Sequence, residues 1–166
     1  MGGKFVEALL ARGEKVRVFD LKANDATHLA DLGAQLVPRD ILCRDELRDA
    51  LDGCDRVFHV AALFRMWQPD KSQYCRINVD GTRNVMEAAF EAGVRRLVHT
   101  SSAVTIGEGQ GQLGHEGTAH RGYFLSEYER SKCLAEQVAL EVCERGLPLV
   151  VAVSYTHLTL PTTPYV

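Results

Sequence analysis

Apolar segments of two kinds take turns along this chain, and that alternation narrows its fold more than any other feature. Lys15-Val16-Arg17-Val18-Phe19-Asp20 reads as a strand ending in an acid, and Ala34-Gln35-Leu36-Val37 as another that ends near Asp40-Ile41. Arg56-Val57-Phe58-His59-Val60-Ala61-Ala62 is nearly unbroken in apolar character, as buried parallel strands are. Arg96-Leu97-Val98-His99-Thr100-Ser101-Ser102 is the next strand. Helical patterns lie between them: Gly2 to Ala11, Ala26 to Leu32, Asp45 to Leu51, and a long one from about Ser72 to Ala92. Gly13, Gly53 and Gly93 stop three of these. Such alternation predicts an α/β fold, a doubly wound parallel sheet covered on both faces. Ligands of these sheets bind beyond the carboxyl ends of the strands, where Asp20, Asp40, Ala62 and Ser102 fall.

A helix that opens on glycines, followed by a strand ending in Asp20 about twenty residues on, is the second half of a dinucleotide-binding unit. No strand or leading glycines precede Gly2. The expected fold is therefore Rossmann-like but lacks its first strand. In the usual order that strand lies between the one ending at Asp20 and the one ending at Ala62, so its loss leaves two interior edges unpaired. A carboxylate at position 20 can accept hydrogen bonds from both ribose hydroxyls and would repel a 2′-phosphate. This favours NAD over NADP, with Lys22 as the opposing consideration.

Tyr128-Glu129-Arg130-Ser131-Lys132 opens a long amphipathic segment. Helical spacing puts the Tyr128 phenol and the Lys132 ammonium on one face, and a fixed cation favours the phenolate. That is a proton-transfer pair. Ser102, at a strand end, can hydrogen-bond a substrate oxygen while the tyrosine moves its proton, an arrangement suited to hydride transfer at a carbinol or carbonyl. Between Gly107 and Gly122 the chain is polar and glycine-rich and reads as a surface loop over the site. His115 and His120 in it read as solvated, and His59 and His99 as satisfied core histidines. Trp67 reads either as pocket lining or as half-buried packing. Five scattered cysteines without a C-x-x-C pair indicate reduced thiols, with no disulfide frame and no metal site. A net charge of −3 gives no general attraction to nucleic acid or an anionic membrane, and no apolar run is long enough to span a bilayer. A cytoplasmic location is the expectation.

Several pieces together resemble an extended short-chain dehydrogenase/reductase of the NAD-dependent epimerase/dehydratase type. They are Asp20 after Val18-Phe19, Asp40-Ile41, His59-Val60-Ala61-Ala62, Asn78-Val79-Asp80-Gly81-Thr82-Arg83-Asn84-Val85, Thr100-Ser101-Ser102-Ala103 and Tyr128 through Lys132. The resemblance implies catalytic roles for Ser102, Tyr128 and Lys132. It implies NAD contacts from Gly2, Asp20, Asn24, Asp40, Ile41, Ala61, Ala62, Asn78, Thr100, Tyr128 and Lys132. Ser101 is the alternative to Ser102, and strand alternation lets only one face the pocket. Phe64 through Asp70 is similar to the branch with dihydroflavonol-reductase-like enzymes and hopanoid-associated sugar epimerases, which implies a sugar nucleotide or a carbonyl compound as substrate. Ala103 stands where nucleotide-sugar dehydratases carry an acid, which argues against dehydration and leaves reduction and epimerisation open. A homodimer through the tyrosine helix and its neighbour is also implied. The rival is a non-catalytic dinucleotide sensor, a class that usually lacks the tyrosine and lysine.

Both ends depart from the family pattern. Of a G-x-x-G-x-x-G turn only the last glycine, Gly2, is present, and Met1 stands where Ile or Val is usual, as expected if an internal codon was read as the start. Residues 153–166 resemble a translated sequencing-library adapter, so the cofactor domain is expected over 1–152. The purified 166-residue chain is then expected to be poorly stable and inactive. Measurable NAD reduction by it would contradict this.

Overall fold

The computed structural model describes residues 2–21, 26–65, 67–107, 114–115 and 117–154. Asn24 and the tail from position 155 lie outside them. The elements run in the expected order: α1 (Gly2–Ala11), β1 (Arg17–Asp20), α2 (Thr27–Asp31), β2 (Gln35–Pro38), α3 (Arg44–Leu51) and β3 (Arg56–His59). Then come α4 (Ser72–Cys75), a π-turn (Arg76–Asp80), α5 (Gly81–Glu91), β4 (Arg96–Ser102), a 3₁₀ turn (Ala103–Thr105), α6 (Glu127–Glu144) and β5 (Leu149–Ser154).

Every strand pair is parallel, and the sheet is in two pieces. β1 pairs with β2, and β3-β4-β5 form a second sheet. The break falls between β1 and β3, where a doubly wound order places a further strand. Two side chains lace the pieces at the strand starts. Arg17 donates to the Asp52 carbonyl at 3.0 Å, and Arg56 donates to the Glu14 carboxylate at 2.8 Å. Across the gap Phe5 of α1 lies on Phe58 of β3, ring centres 4.6 Å apart, beside an apolar cavity of about 250 Å³.

The core sits on the other face, between β3-β4 and helices α3, α5 and α6. Leu47, Val57, Val85, Met86, Leu97 and Val142 are buried there. Their spacing explains the elements: residues 85, 86, 88 and 89 fall on one side of α5, and 97, 99 and 101 on one side of β4. Gly93, at φ 63°, turns the chain out of α5 in a conformation that side chains resist.

Two expectations about elements need correction. β3 ends at His59 rather than running to Ala62. The Asn78 side chain takes both the N–H and the C=O of Leu63, at 2.6 and 3.2 Å, so the chain beyond His59 bonds to a helix instead of to β4. The long helix expected from Ser72 is interrupted by a π-turn at Arg76–Asp80, which carries Asn78 itself; an inserted residue of this kind re-aims side chains. β5 runs to Ser154, with Val153 and Ser154 pairing Ser101 and Ser102.

His59 and His99 are buried side by side, rings stacked with centres 5.4 Å apart. His59 pairs its Nε2 with the Thr82 hydroxyl at 2.9 Å, as a satisfied core histidine should. His99 differs: neither ring nitrogen has a hydrogen-bond partner among the described residues. Burial and nearby Lys132 pull His59 down to about 3; burial, His59 and Lys132 pull His99 down to about 2. A folded-state value below the unfolded one means that protons favour unfolding. Stability is thus complete above about pH 6.5 and falls as pH drops below it, by roughly 1 kcal/mol per histidine at about pH 5.5. Urea midpoints at these two pH values should show the loss in the parent chain and a smaller one in His99→Phe. Equal losses would contradict the assignment.

Candidate functional site

The start of α6 is built around a buried acid. Ser126 caps the helix, its Oγ accepting from the Glu129 N–H at 3.1 Å, and the Glu129 carboxylate accepts in return from the Leu125 N–H at 2.7 Å. Glu129 is only 3% exposed. A lone carboxylate there would be costly, and the Arg121 guanidinium and His120 Nε2 supply its partners. His120 is therefore engaged rather than solvated. Gly107, at the other end of the loop, packs so closely that a Cβ would lie 1.8 Å from the Ala119 carbonyl oxygen. Positions 108–113 and 116 of this loop lie outside the described residues.

This anchored helix presents Tyr128 and, one turn on, Lys132. The Tyr128 ring is half-buried and meets Phe64 edge-on, centres 5.2 Å apart. Lys132 is 4% exposed and donates to the Thr100 carbonyl at 2.8 Å. Burial brings its ammonium down to about 8, against the opposing pull of Glu136.

Strand alternation separates the two serines. Ser101 is buried and donates to the Glu136 carboxylate. Ser102 is half-buried on the opposite face, and its hydrogen bonds stay within its own turn: the Val104 N–H to Oγ at 3.5 Å and the Thr105 hydroxyl to its carbonyl at 2.8 Å. Ser102 is thus the serine whose side chain is not tied into the interior.

Asn78 joins two parts of the site. Besides clamping Leu63, its Nδ2 donates to the Ser131 hydroxyl at 2.8 Å, and Ser131 donates to the Tyr128 carbonyl at 2.8 Å. The segment leaving β3, with Ala61 and Ala62 exposed on it, is thereby tied to the tyrosine's turn. Gly81 follows from the same packing: a Cβ there would come within 2.5 Å of the Ile41 Cδ1. Asp40 accepts from the Leu42 N–H at 3.0 Å, and Asn84 holds the Ile41 carbonyl at 3.1 Å. Asp20 is exposed at the end of β1 and accepts from the Leu21 N–H at 2.7 Å. Gly2 opens α1 with free space where a Cβ would project.

These groups lie along the carboxyl ends of both sheet pieces. Their chemistry suits a dinucleotide: an exposed carboxylate at Asp20, small residues at Gly2, Ala61 and Ala62, and a buried ammonium one helical turn from a phenol. Ser131, Glu129, Glu136 and the His59–Thr82 pair escaped sequence reasoning. The four-residue spacing from Lys132 to Glu136 was the one available signal for Glu136.

A parallel sheet with this rim and a Tyr-x-x-x-Lys helix is the architecture of the NAD-dependent epimerase/dehydratase group of extended short-chain dehydrogenases/reductases. Within that architecture, residues 1–148 match the 3-beta hydroxysteroid dehydrogenase/isomerase family, and the chain belongs to it. It is 38% identical over 157 residues to sterol demethylase protein B of Methylococcus capsulatus, covering 91% of this chain and 46% of that protein. It is 35% identical over 153 residues to a provisionally named dihydroflavonol 4-reductase of a Synechocystis species, covering 91% and 44%. The chain thus spans less than half the length of these relatives. Among solved structures, DesIV, a dTDP-glucose 4,6-dehydratase from Streptomyces venezuelae with NAD and TYD bound, superposes with a TM-score of 0.80 at 27% identity, covering 92% of this chain and 51% of that one.

Replacing Asn78 by Ala leaves the Leu63 backbone pair and the Ser131 hydroxyl without their partner. The expected loss is about 1–3 kcal/mol by urea denaturation, with faster amide exchange at positions 61–65. An unchanged midpoint with unchanged exchange would show that the clamp is not needed.

Proposed function

We propose that this chain is the cofactor-binding part of an NAD-dependent oxidoreductase that interconverts a hydroxyl and a ketone on a largely apolar substrate. The observation that carries the reading is the buried Lys132 ammonium, held against Thr100 one turn from Tyr128, at the rim where dinucleotides bind in this fold. Asp20, together with Asn24, would hold the adenosine ribose; Asp40 and Ile41 would lie on the adenine side. Gly2, Ala61, Ala62 and Asn78 would line the path of the dinucleotide toward Thr100, Tyr128 and Lys132. When bound, NAD supplies the hydride acceptor.

The chain's own residues handle the proton. Tyr128 takes the hydroxyl proton while the hydride leaves the same carbinol carbon, and it returns the proton in the reverse direction. Ser102 donates to the substrate oxygen and fixes it against the phenol.

Phe64 and Trp67 support an apolar substrate. Phe64 touches Tyr128 yet is 66% exposed, and Trp67 is 74% exposed, so neither serves core packing. The sterol protein of Methylococcus and the Synechocystis reductase agree with a hydrophobic alcohol or ketone. The likeness to a nucleotide-sugar dehydratase supports the alternative, epimerisation of a sugar nucleotide, which leaves the aromatic rim without a use. The reading takes the protein as cytoplasmic and as a homodimer through α6 and its neighbouring helix.

In the full-length protein, Tyr128→Phe should lower kcat by about 10²–10⁴ while NAD affinity stays within a few-fold. Turnover near the parent's would overturn the assignment, and unchanged NAD binding without turnover in the parent would favour the sensor.

A further inference from the structure

We propose that Glu136 is a positioning residue of this site: one carboxylate holds the end of β4 through Ser101 and Thr105, and it is also the anion facing Lys132 from the next turn of α6. Two hydroxyls on the strand end converge on one oxygen, Ser101 Oγ directly and Thr105 Oγ1 at 3.1 Å, both on Glu136 Oε2. Ser101 is 2% exposed, so its tie to Glu136 fixes which way this stretch of the strand faces. With Ser101 drawn inward, the pleat turns Ser102 to the opposite face. The same bonds pin the 3₁₀ turn that Ser102 caps, because Thr105 also holds the Ser102 carbonyl.

Glu136 also acts on Lys132 electrostatically. Lys132 lies four residues before Glu136 on the helix, within reach of its charge. Its surroundings are otherwise poor in anions. β4 offers the Thr100 carbonyl and the His99 imidazole, and β3 the His59 imidazole. The π-turn contributes the neutral amide of Asn78 through Ser131, while its Arg76 and Asp80 are exposed to solvent. Burial penalises the ammonium and Glu136 opposes that penalty. One side chain therefore sets both the orientation of the serine pair and the charge of the lysine, which are the two things the proposed chemistry needs from this corner.

The inference rests on the proposed role of Lys132, but its test needs neither cofactor nor turnover. In the ligand-free chain, the Lys132 side-chain amine and the Glu136 carboxyl carbon are followed by NMR across pH 5–11. Coupling predicts that the Glu136 carbon shows an inflection at the pH where Lys132 titrates, near 8. In Glu136→Gln the Lys132 midpoint should fall by roughly one pH unit, and Glu136→Asp should recover part of it. A Glu136 carbon blind to the lysine titration would overturn the proposal even if the glutamine variant fails to fold. A lysine midpoint unmoved in a folded glutamine variant would overturn it as well. Loss of NAD binding with the coupling intact would instead count against the functional reading alone.

Discussion

A buried cation organises the working end of this molecule. Lys132 loses most of its water and receives in exchange a main-chain carbonyl of β4 and the field of Glu136. An ammonium so placed is unfavourable unless the helix and the strand meet in one register. Its bond to Thr100 is thus a register mark. It locks α6 to the end of β4, and Tyr128, one turn back, is carried to the same rim. The anchoring at the other end, where Glu129 gathers Arg121, His120 and the Leu125 N–H, removes the freedom of the first turn. Tyr128 sits between two fixed points.

The break in the sheet has a different origin. Parallel strands depend on neighbours for their backbone bonds, and helices packed on the faces cannot supply them. With no described strand between β1 and β3, the two sheet pieces are bridged by Arg17, by the Arg56–Glu14 pair, by aromatic contact through Phe5 and by Phe19 packed against the core. Exposed pairs of this kind contribute little. The three-stranded piece carries the continuous core, whereas β1, β2 and α2 bury few apolar side chains. The Asp20 end of the rim is accordingly the less firmly held, while the Lys132 end is built into the core.

Sequence periodicity located nearly every element because the helices and parallel strands here bury one-sided or continuous apolar patterns. β4 was found to the residue: Leu97, His99 and Ser101 alternate cleanly against Val98, Thr100 and Ser102. What periodicity missed was local hydrogen bonding. An Asn at position 78 reads as an ordinary helix residue, yet it sits in a π-turn and its amide holds both backbone groups of Leu63 and the Ser131 hydroxyl. The serine choice also needed coordinates. Alternation requires that Ser101 and Ser102 diverge, and the structure puts Ser101 on the buried face with Leu97 and His99, bonded to Glu136 35 residues away. Trp67 is exposed rather than half-buried in packing.

The account's central claim is that Tyr128 and Lys132 meet the nicotinamide end of a dinucleotide at the carboxyl rim of the sheet. The most direct measurement is a crystal structure of the full-length protein grown with NAD. The account predicts electron density for the nicotinamide ribose against Lys132 and Tyr128, with Asp20 at the adenosine ribose. Density that places the dinucleotide away from Lys132, or at the amino ends of the strands, would contradict it.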